Sequence, residues 1–169
     1  MRFACVMNWK EYQTLIVGAL GFTGVILTLL ANAWLNRKQH TRQVEHERTA
    51  LKAALSAELS IIRDSYVDRI NMIGDGATQS MLVPLDTMTG VYEKAIEKIG
   101  LLSRDQVDRV LRAYLLVHQM PDRLRFFQDY QTESERNGYL RIAGKHVGHV
   151  REMHENFLID INRAIAALA

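Results

Sequence analysis

The stretch Thr14–Leu35, TLIVGALGFTGVILTLLANAWL, decides the fold of this chain. It contains no ionisable side chain, and 15 of its 22 residues are apolar. At about 1.5 Å rise per residue, a helix of this length spans roughly 33 Å, and the hydrocarbon core of a bilayer is about 30 Å thick. The stretch therefore predicts a single transmembrane helix over residues 14–35, preceded by a short N-terminal segment, residues 1–13.

The residues at both ends of this stretch are typical of membrane interfaces. The only two tryptophans, Trp9 and Trp34, bracket the apolar run, and Arg37 and Lys38 follow it. Indole rings are enriched at headgroup level, and basic side chains there attract anionic lipid at about 1 kcal/mol each. We therefore interpret these four residues as interfacial anchors and the lipid bilayer as a partner.

The flanking basic residues also predict an orientation. Arg37, Lys38 and Arg42 follow the stretch, whereas Arg2 and Lys10 precede it. Because cytoplasmic flanks carry the excess of Lys and Arg, the C-terminal domain is expected in the cytoplasm, with the helix in a bacterial inner membrane.

Two alternatives concern the N-terminus. Ala31-Asn32-Ala33 has the small-x-small form of a signal-peptidase site, although the apolar run is longer than the usual signal core of about 7 to 15 residues. Translation could also start at Met7, in which case Cys5 would be absent from the natural product.

One face of the apolar stretch carries mostly small side chains. In membranes, small residues let two helices approach closely, so this face predicts a homo-oligomer or pairing with another membrane protein. The alternative is that glycine is simply tolerated in membrane helices. At spacings of 3 and 4, the seam consists of Thr14, Val17, Gly21, Gly24, Thr28 and Ala31.

The other 134 residues predict a helical domain, residues 36–169. Its first segment, 36–73, has no Gly or Pro and a helical stripe that runs from Val44 through Leu55 to Ile73. With no breaker before it, the membrane helix is expected to continue into this stalk and to end at Gly74. We expect a loop over residues 77–84.

Four more helices are expected, over residues 85–99, 104–119, 121–135 and 139–168. Ser103 and Gln106 have capping-box form, and Asn137-Gly138 is typical of a turn. Because of Pro121, a kink or a break is expected at Met120, and Pro121 suits the first turn of a new helix. The last helix has the clearest stripe, which includes His154 and Phe157. The predicted class is thus all-α, an antiparallel four- or five-helix bundle on a membrane stalk.

Composition excludes several functions. With 21 Lys+Arg against 19 Asp+Glu, the chain is too evenly charged for a dedicated nucleic-acid binder, and no nucleic-acid partner is expected. One Cys excludes a disulfide framework and a Cys-based zinc site. No nucleophile elbow, phosphate loop, HExxH or EF-hand loop occurs, so we expect no catalytic residue and no cofactor.

Two charged clusters are candidate sites. His146, His149 and Glu152 are candidate metal ligands, but one helix offers too few ligands for a metal, and solvated side chains are the preferred interpretation. Asp64 and Asp68, beside Arg63 and Arg69, are interpreted as surface charge pairing.

Several short segments resemble a group of small bacterial single-pass membrane proteins. The resemblance spans roughly residues 15 to 115 and is carried by Gly21–Leu29, Asn32-Ala33, Arg37, Glu47–Leu51, Ala54–Leu59, Val91-Tyr92, Ile99–Leu102 and Tyr114. It implies an N-terminal membrane helix with a helical cytoplasmic domain, and it implies no activity or site residue.

These observations favour a membrane-anchored helical interaction protein: a scaffold, adaptor or accessory subunit. One alternative is a helical sensor or lysis-type protein whose C-terminal domain faces the envelope. Another is a metal-dependent protein that uses the last helix.

Overall fold

The computed structural model describes residues 9–74, 79–129 and 135–169. It is 82% helical and consists of two compact units, up to His46 and from Glu47 to Ala169. The elements are the helices α1 (Trp9–Ile73), α2 (Gly90–Ala95), α3 (Arg104–Arg125) and α4 (Val147–Leu168), the strands β1 (Met81–Pro84), β2 (Glu135–Arg136) and β3 (Tyr139–Ile142), and 3-10 turns at Ile96–Leu101 and Gly144–His146.

In the first unit, residues 16–35 of α1 are apolar on nearly all sides. Every side chain from residue 16 to residue 35 is exposed, and this part of the helix is long and apolar enough to cross a membrane. α1 continues without interruption to Ile73 and closes at Gly74, whose φ is +61°. The expected continuous helix and its C-terminal glycine are therefore confirmed.

The second unit has its core between α1, α3 and α4. α1 buries a stripe at spacings of 3 and 4, which comprises Leu51, Leu55, Leu59, Ile62 and Tyr66. Nε2 of Gln106, at the start of α3, donates to the Ala167 carbonyl at the end of α4 (2.8 Å), so these two helices run antiparallel. Phe157 is buried on α4, as its stripe predicts.

α3 confirms one helix signal and corrects another. Ser103 and Gln106 form the expected capping box. Pro121, however, lies inside α3, which runs on to Arg125, so the separate helix predicted over 121–135 is wrong in its described part. Pro121 has no N–H group, so α3 lacks one backbone hydrogen bond near its C-terminal end. The burial of Met120 and Leu124 beside it offsets this loss.

The structure is mostly helical, as the all-α prediction expected, but it also contains a three-stranded antiparallel sheet of order β1-β3-β2 that was not predicted. β1 lies in the expected loop 77–84, of which residues 77 and 78 are outside the described residues. β2 and β3 are joined at Asn137 and Gly138, which both have positive φ (54° and 78°), as a two-residue hairpin turn requires. The predicted turn is present, but it opens a strand rather than a helix.

Two helix starts also differ from the prediction. The helix expected from residue 85 begins at Gly90. The Glu58 carboxylate accepts hydrogen bonds from the N–H groups of Val91 and Tyr92 in its first turn. The helix expected from residue 139 begins at Val147, because Leu140 and Ile142 are buried by strand pairing with β1.

Candidate functional site

A groove of about 580 Å³ separates the end of α1 from strand β1. Its α1 wall is a single helical face, since the residues recur at spacings of 3 and 4. The opposite wall is β1 itself, with Tyr139 from the neighbouring strand. The α1 residues are Ile61, Asp64, Ser65, Asp68, Arg69 and Met72.

Much of the groove wall is apolar and open to solvent. Met72 is 80% exposed, Ile61 and Leu82 are each 54% exposed, and Tyr139 is 48% exposed. Contiguous apolar surface of this kind marks interaction sites on soluble domains.

β1 is the edge of the sheet on the groove side. The Leu85 N–H donates to the Gly138 carbonyl (2.8 Å), and Val83 is paired with Leu140. In an antiparallel ladder, alternate residues direct their N–H and C=O groups to opposite sides. The register therefore directs both backbone groups of Leu82, and the carbonyl of Pro84, away from β3.

A cavity of about 210 Å³ adjoins the groove. Ser65, Arg69 and Pro84 line both spaces, so they form the junction between them. The rest of the cavity wall is mainly apolar and includes Ile62, Leu85, Met88, Val117 and Met120.

Arg69 lies at this junction without a carboxylate partner among the described residues. Its guanidinium carbon is 5.3 Å from the Tyr66 ring centre, and burial lowers the pKa of Arg69 below its ordinary value. Arg63, by contrast, binds Asp64 at 2.8 Å. The charge pairing expected from the sequence is thus present for Arg63 with Asp64, whereas no described ion pair joins Arg69 to Asp68.

Tyr66 and His154 place two polar atoms in the core beside the cavity. His154 Nδ1 contacts the Val150 carbonyl (2.7 Å), which assigns the ring proton to Nδ1. His154 Nε2 and the Tyr66 hydroxyl have no hydrogen-bond partner within the described part of the chain, and the two rings meet edge to face at 5.0 Å. Burial lowers the pKa of His154 to about 4 and raises that of Tyr66 to about 12.

Glu58 is a buried carboxylate that the sequence analysis missed. It accepts hydrogen bonds from the N–H groups of Val91 (2.7 Å) and Tyr92 (2.9 Å) and from the Tyr114 hydroxyl (2.7 Å). Burial and this carboxylate raise the pKa of Tyr114. The available signal was its position three residues after Leu55, on the stripe that α1 buries. Its fully satisfied oxygens indicate a structural role.

The candidate metal ligands do not form a closed site. The rings of His146 and His149 are 6.2 Å apart and both lie against Phe127, while Glu152 is exposed. Over residues 9–74, 79–129 and 135–169, no group of three or more His, Cys, Asp or Glu side chains could hold a metal ion.

The predicted membrane-facing residues are uncovered in the structure. Val17, Gly21, Gly24, Thr28 and Ala31 are exposed, and no described atom lies within 4 Å of a Cβ added at either glycine. The Thr14 side chain lies outside the described part of the structure.

Of the predicted interfacial anchors, Trp34 is 62% exposed and Lys38 Nζ lies 5.0 Å above its ring. Arg37 is exposed one residue before Lys38. The Trp9 side chain lies outside the described residues.

Comparison of the chain with protein-family profiles, with curated proteins and with solved structures finds no match.

Proposed function

We propose that this chain is a single-pass membrane protein whose helical domain binds another protein or a second copy of itself. The observation that carries the proposal is the uncovered apolar part of α1, residues 16–35. Leaving this much apolar surface in water is unfavourable at about 25 cal/mol per Å². A bilayer would cover all sides of the helix at once, and the length matches one crossing.

The threonines of this part support the same proposal. Thr23 Oγ1 donates to the Ala19 carbonyl (2.7 Å), and Thr28 Oγ1 donates to the Gly24 carbonyl (2.8 Å). Both hydroxyl protons are therefore satisfied within the helix, as lipid surroundings require. A polar group left without a partner in hydrocarbon would cost several kcal/mol.

The proposed location is a bacterial inner membrane, with the C-terminal domain in the cytoplasm. Arg37, Lys38 and Arg42 carry this orientation. A reporter that is active only in the cytoplasm, fused after Ala169, should be active, whereas a periplasmic reporter at the same position should be silent. The opposite pair of results would favour the envelope-facing alternative, and an intact mass lacking the first 33 residues would show cleavage.

The small-residue seam of α1 is the proposed contact between membrane helices. Gly24→Leu should weaken association in a membrane dimerisation assay, because a large side chain separates the two backbones. Leu27→Ala, on a different face, is the control and should leave association unchanged. Equal behaviour of the two variants would remove the seam from the proposal.

A further inference from the structure

We propose that the groove and the adjoining cavity form one docking site for an extended segment of a partner protein. The segment adds a strand to the edge of β1 that is not paired with any described strand, places a large apolar side chain in the cavity and sets a carboxylate against Arg69. The inference rests on the proposed interaction role only in taking the partner to be a protein, and it does not depend on the membrane.

The backbone groups of β1 point to a strand as the occupant. Leu82 directs one N–H and one C=O towards the groove, and Pro84 directs a further C=O. A segment with the strand repeat can pair with all three groups, as peptides do when they extend an exposed sheet edge. The α1 face that includes Ile61 and Met72 forms the far wall and covers the outer side of the added strand.

The cavity provides the place for an anchor side chain. Its wall is mainly apolar, and it opens at Ser65, Arg69 and Pro84, directly beside the strand position. Side chains that fill such pockets carry most of the free energy in many interfaces. A leucine, methionine or phenylalanine suits both the size of the cavity and its lining.

The charge of Arg69 indicates which type of residue the segment carries next to its apolar side chain. Arg69 is half-buried and has no carboxylate partner among the described residues, whereas Asp64 is already bound by Arg63. Asp68 and Asp86 also line the two spaces, but they are exposed, and water screens their charges more strongly. An incoming Asp or Glu therefore gains most at Arg69.

The same argument selects a different protein rather than a second copy. If two copies paired through β1, the inserted strand would be Met81–Pro84, which contains no acidic residue. That strand would therefore bring no carboxylate of its own to Arg69.

The test uses the full chain in detergent micelles and a displayed library of random twelve-residue peptides. Enriched peptides should combine a large apolar residue with an Asp or Glu at a fixed spacing. In fluorescence anisotropy with an enriched peptide, Leu82→Pro and Arg69→Gln should each weaken binding at least tenfold. Leu82→Pro removes an N–H that the sheet does not use, together with the Leu82 side chain, so Leu82→Ala, which keeps the N–H, is compared with it and should bind more tightly.

Arg112→Gln is the control, because Arg112 is exposed and lines neither the groove nor the cavity, and this variant should bind within twofold of the wild type. Arg69→Glu should recover binding when the acidic residue of the peptide is replaced by Lys. The proposal is overturned if the library yields no peptide enriched above the Leu82→Pro chain, or if the enriched peptides bind Leu82→Pro and Arg69→Gln as tightly as the wild type. Self-association lost in Leu82→Pro would make a second copy the occupant and would equally overturn it. Reporter topology is measured separately, so failure here leaves the membrane proposal standing.

Discussion

The two parts of α1 are both helical, but they differ in how apolar side chains are distributed around the helix. From residue 16 to residue 35 the side chains are apolar around the whole circumference, and all are exposed. From Leu51 to Ile73 one stripe is buried, and the remaining faces carry charged residues together with a few exposed apolar ones such as Ile61 and Met72. A helix with apolar residues all round calls for apolar surroundings on every side, whereas a striped helix calls for them on one side only. Periodicity therefore distinguishes helices by their surroundings rather than by their backbone.

The largest expected effect is a loss of membrane association, caused by substitutions in the first part of α1. Replacing Ile26 and Leu27 together by Arg should abolish membrane association, because each Arg near the bilayer centre costs about 2.5 to 3.5 kcal/mol. Two such residues outweigh the roughly 3 to 6 kcal/mol contributed by the eleven Leu, Ile, Val and Phe side chains of Thr14–Leu35. Carbonate extraction of membranes measures the effect. Retention of the double variant in the pellet would contradict the membrane span.

The next largest effect is a loss of stability in the second unit, with no change in the first unit. Phe157→Ala should lower the free energy of unfolding by about 3 to 5 kcal/mol, because Phe157 is only 4% exposed. Phe126→Ala is the matched control: its ring is 79% exposed, so a change within about 0.5 kcal/mol is expected. Pulse proteolysis of the full chain in urea measures both. Equal losses would mean that Phe157 does not belong to the core.

Acid should lower the stability of the second unit by protonating His154, without affecting the first part of α1. Burial lowers its pKa to about 4, against about 6.5 in the unfolded chain, with Arg69 acting in the same direction. The unfolded state therefore binds more protons between these values, and stability is full above pH 6.5. As the pH falls towards 4, about 3 kcal/mol is lost.

Urea midpoints at pH 7 and pH 4.5 measure this loss. His154→Gln should reduce it, whereas replacement of the exposed His149 by Gln should not. Carbonate-resistant membrane association should not follow the same pH dependence. A loss that persists unchanged in His154→Gln would assign it to other groups.

The smallest effect concerns a single helix end. Ser103→Ala removes the side-chain acceptor that caps the Gln106 N–H and should cost about 1 kcal/mol of domain stability. Ser60→Ala is the control, because Ser60 only donates back to the Ser56 carbonyl inside α1, a bond that does not stabilise a helix. Thermal unfolding followed by circular dichroism compares the two. A larger loss for Ser60→Ala would contradict the assigned cap.

The long helices could be predicted because their periodicity extends over many residues. The capping box at Ser103 and the glycine at position 74 are local signals whose physics does not depend on the rest of the chain, and both are confirmed. The short strands were missed for the opposite reason. Leu140 fits a helical stripe with Val147 and a two-residue strand alternation with Ile142 equally well, and only pairing with β1 decides between them.

Pro121 shows a second limit of local reasoning. Its cost is set by the backbone alone, but the benefit that outweighs it comes from Met120 and Leu124 packing in the core. The groove and the cavity also depend on tertiary packing, because Arg69 and Pro84 are brought together only by the tertiary fold. The sequence identified the charged cluster on α1, but it could not show that Arg69 has no carboxylate partner among the residues that the structure describes.

The Glu58 carboxylate also has a kinetic consequence for the domain. First-turn N–H groups of a helix have no acceptor within the helix and ordinarily exchange their hydrogens with solvent rapidly. Here those of Val91 and Tyr92 are held by a side chain from α1. Their exchange requires the contact between the two helices to open, so isotope labelling at these two amides reports the opening of α1 from the core and not the fraying of the short helix α2.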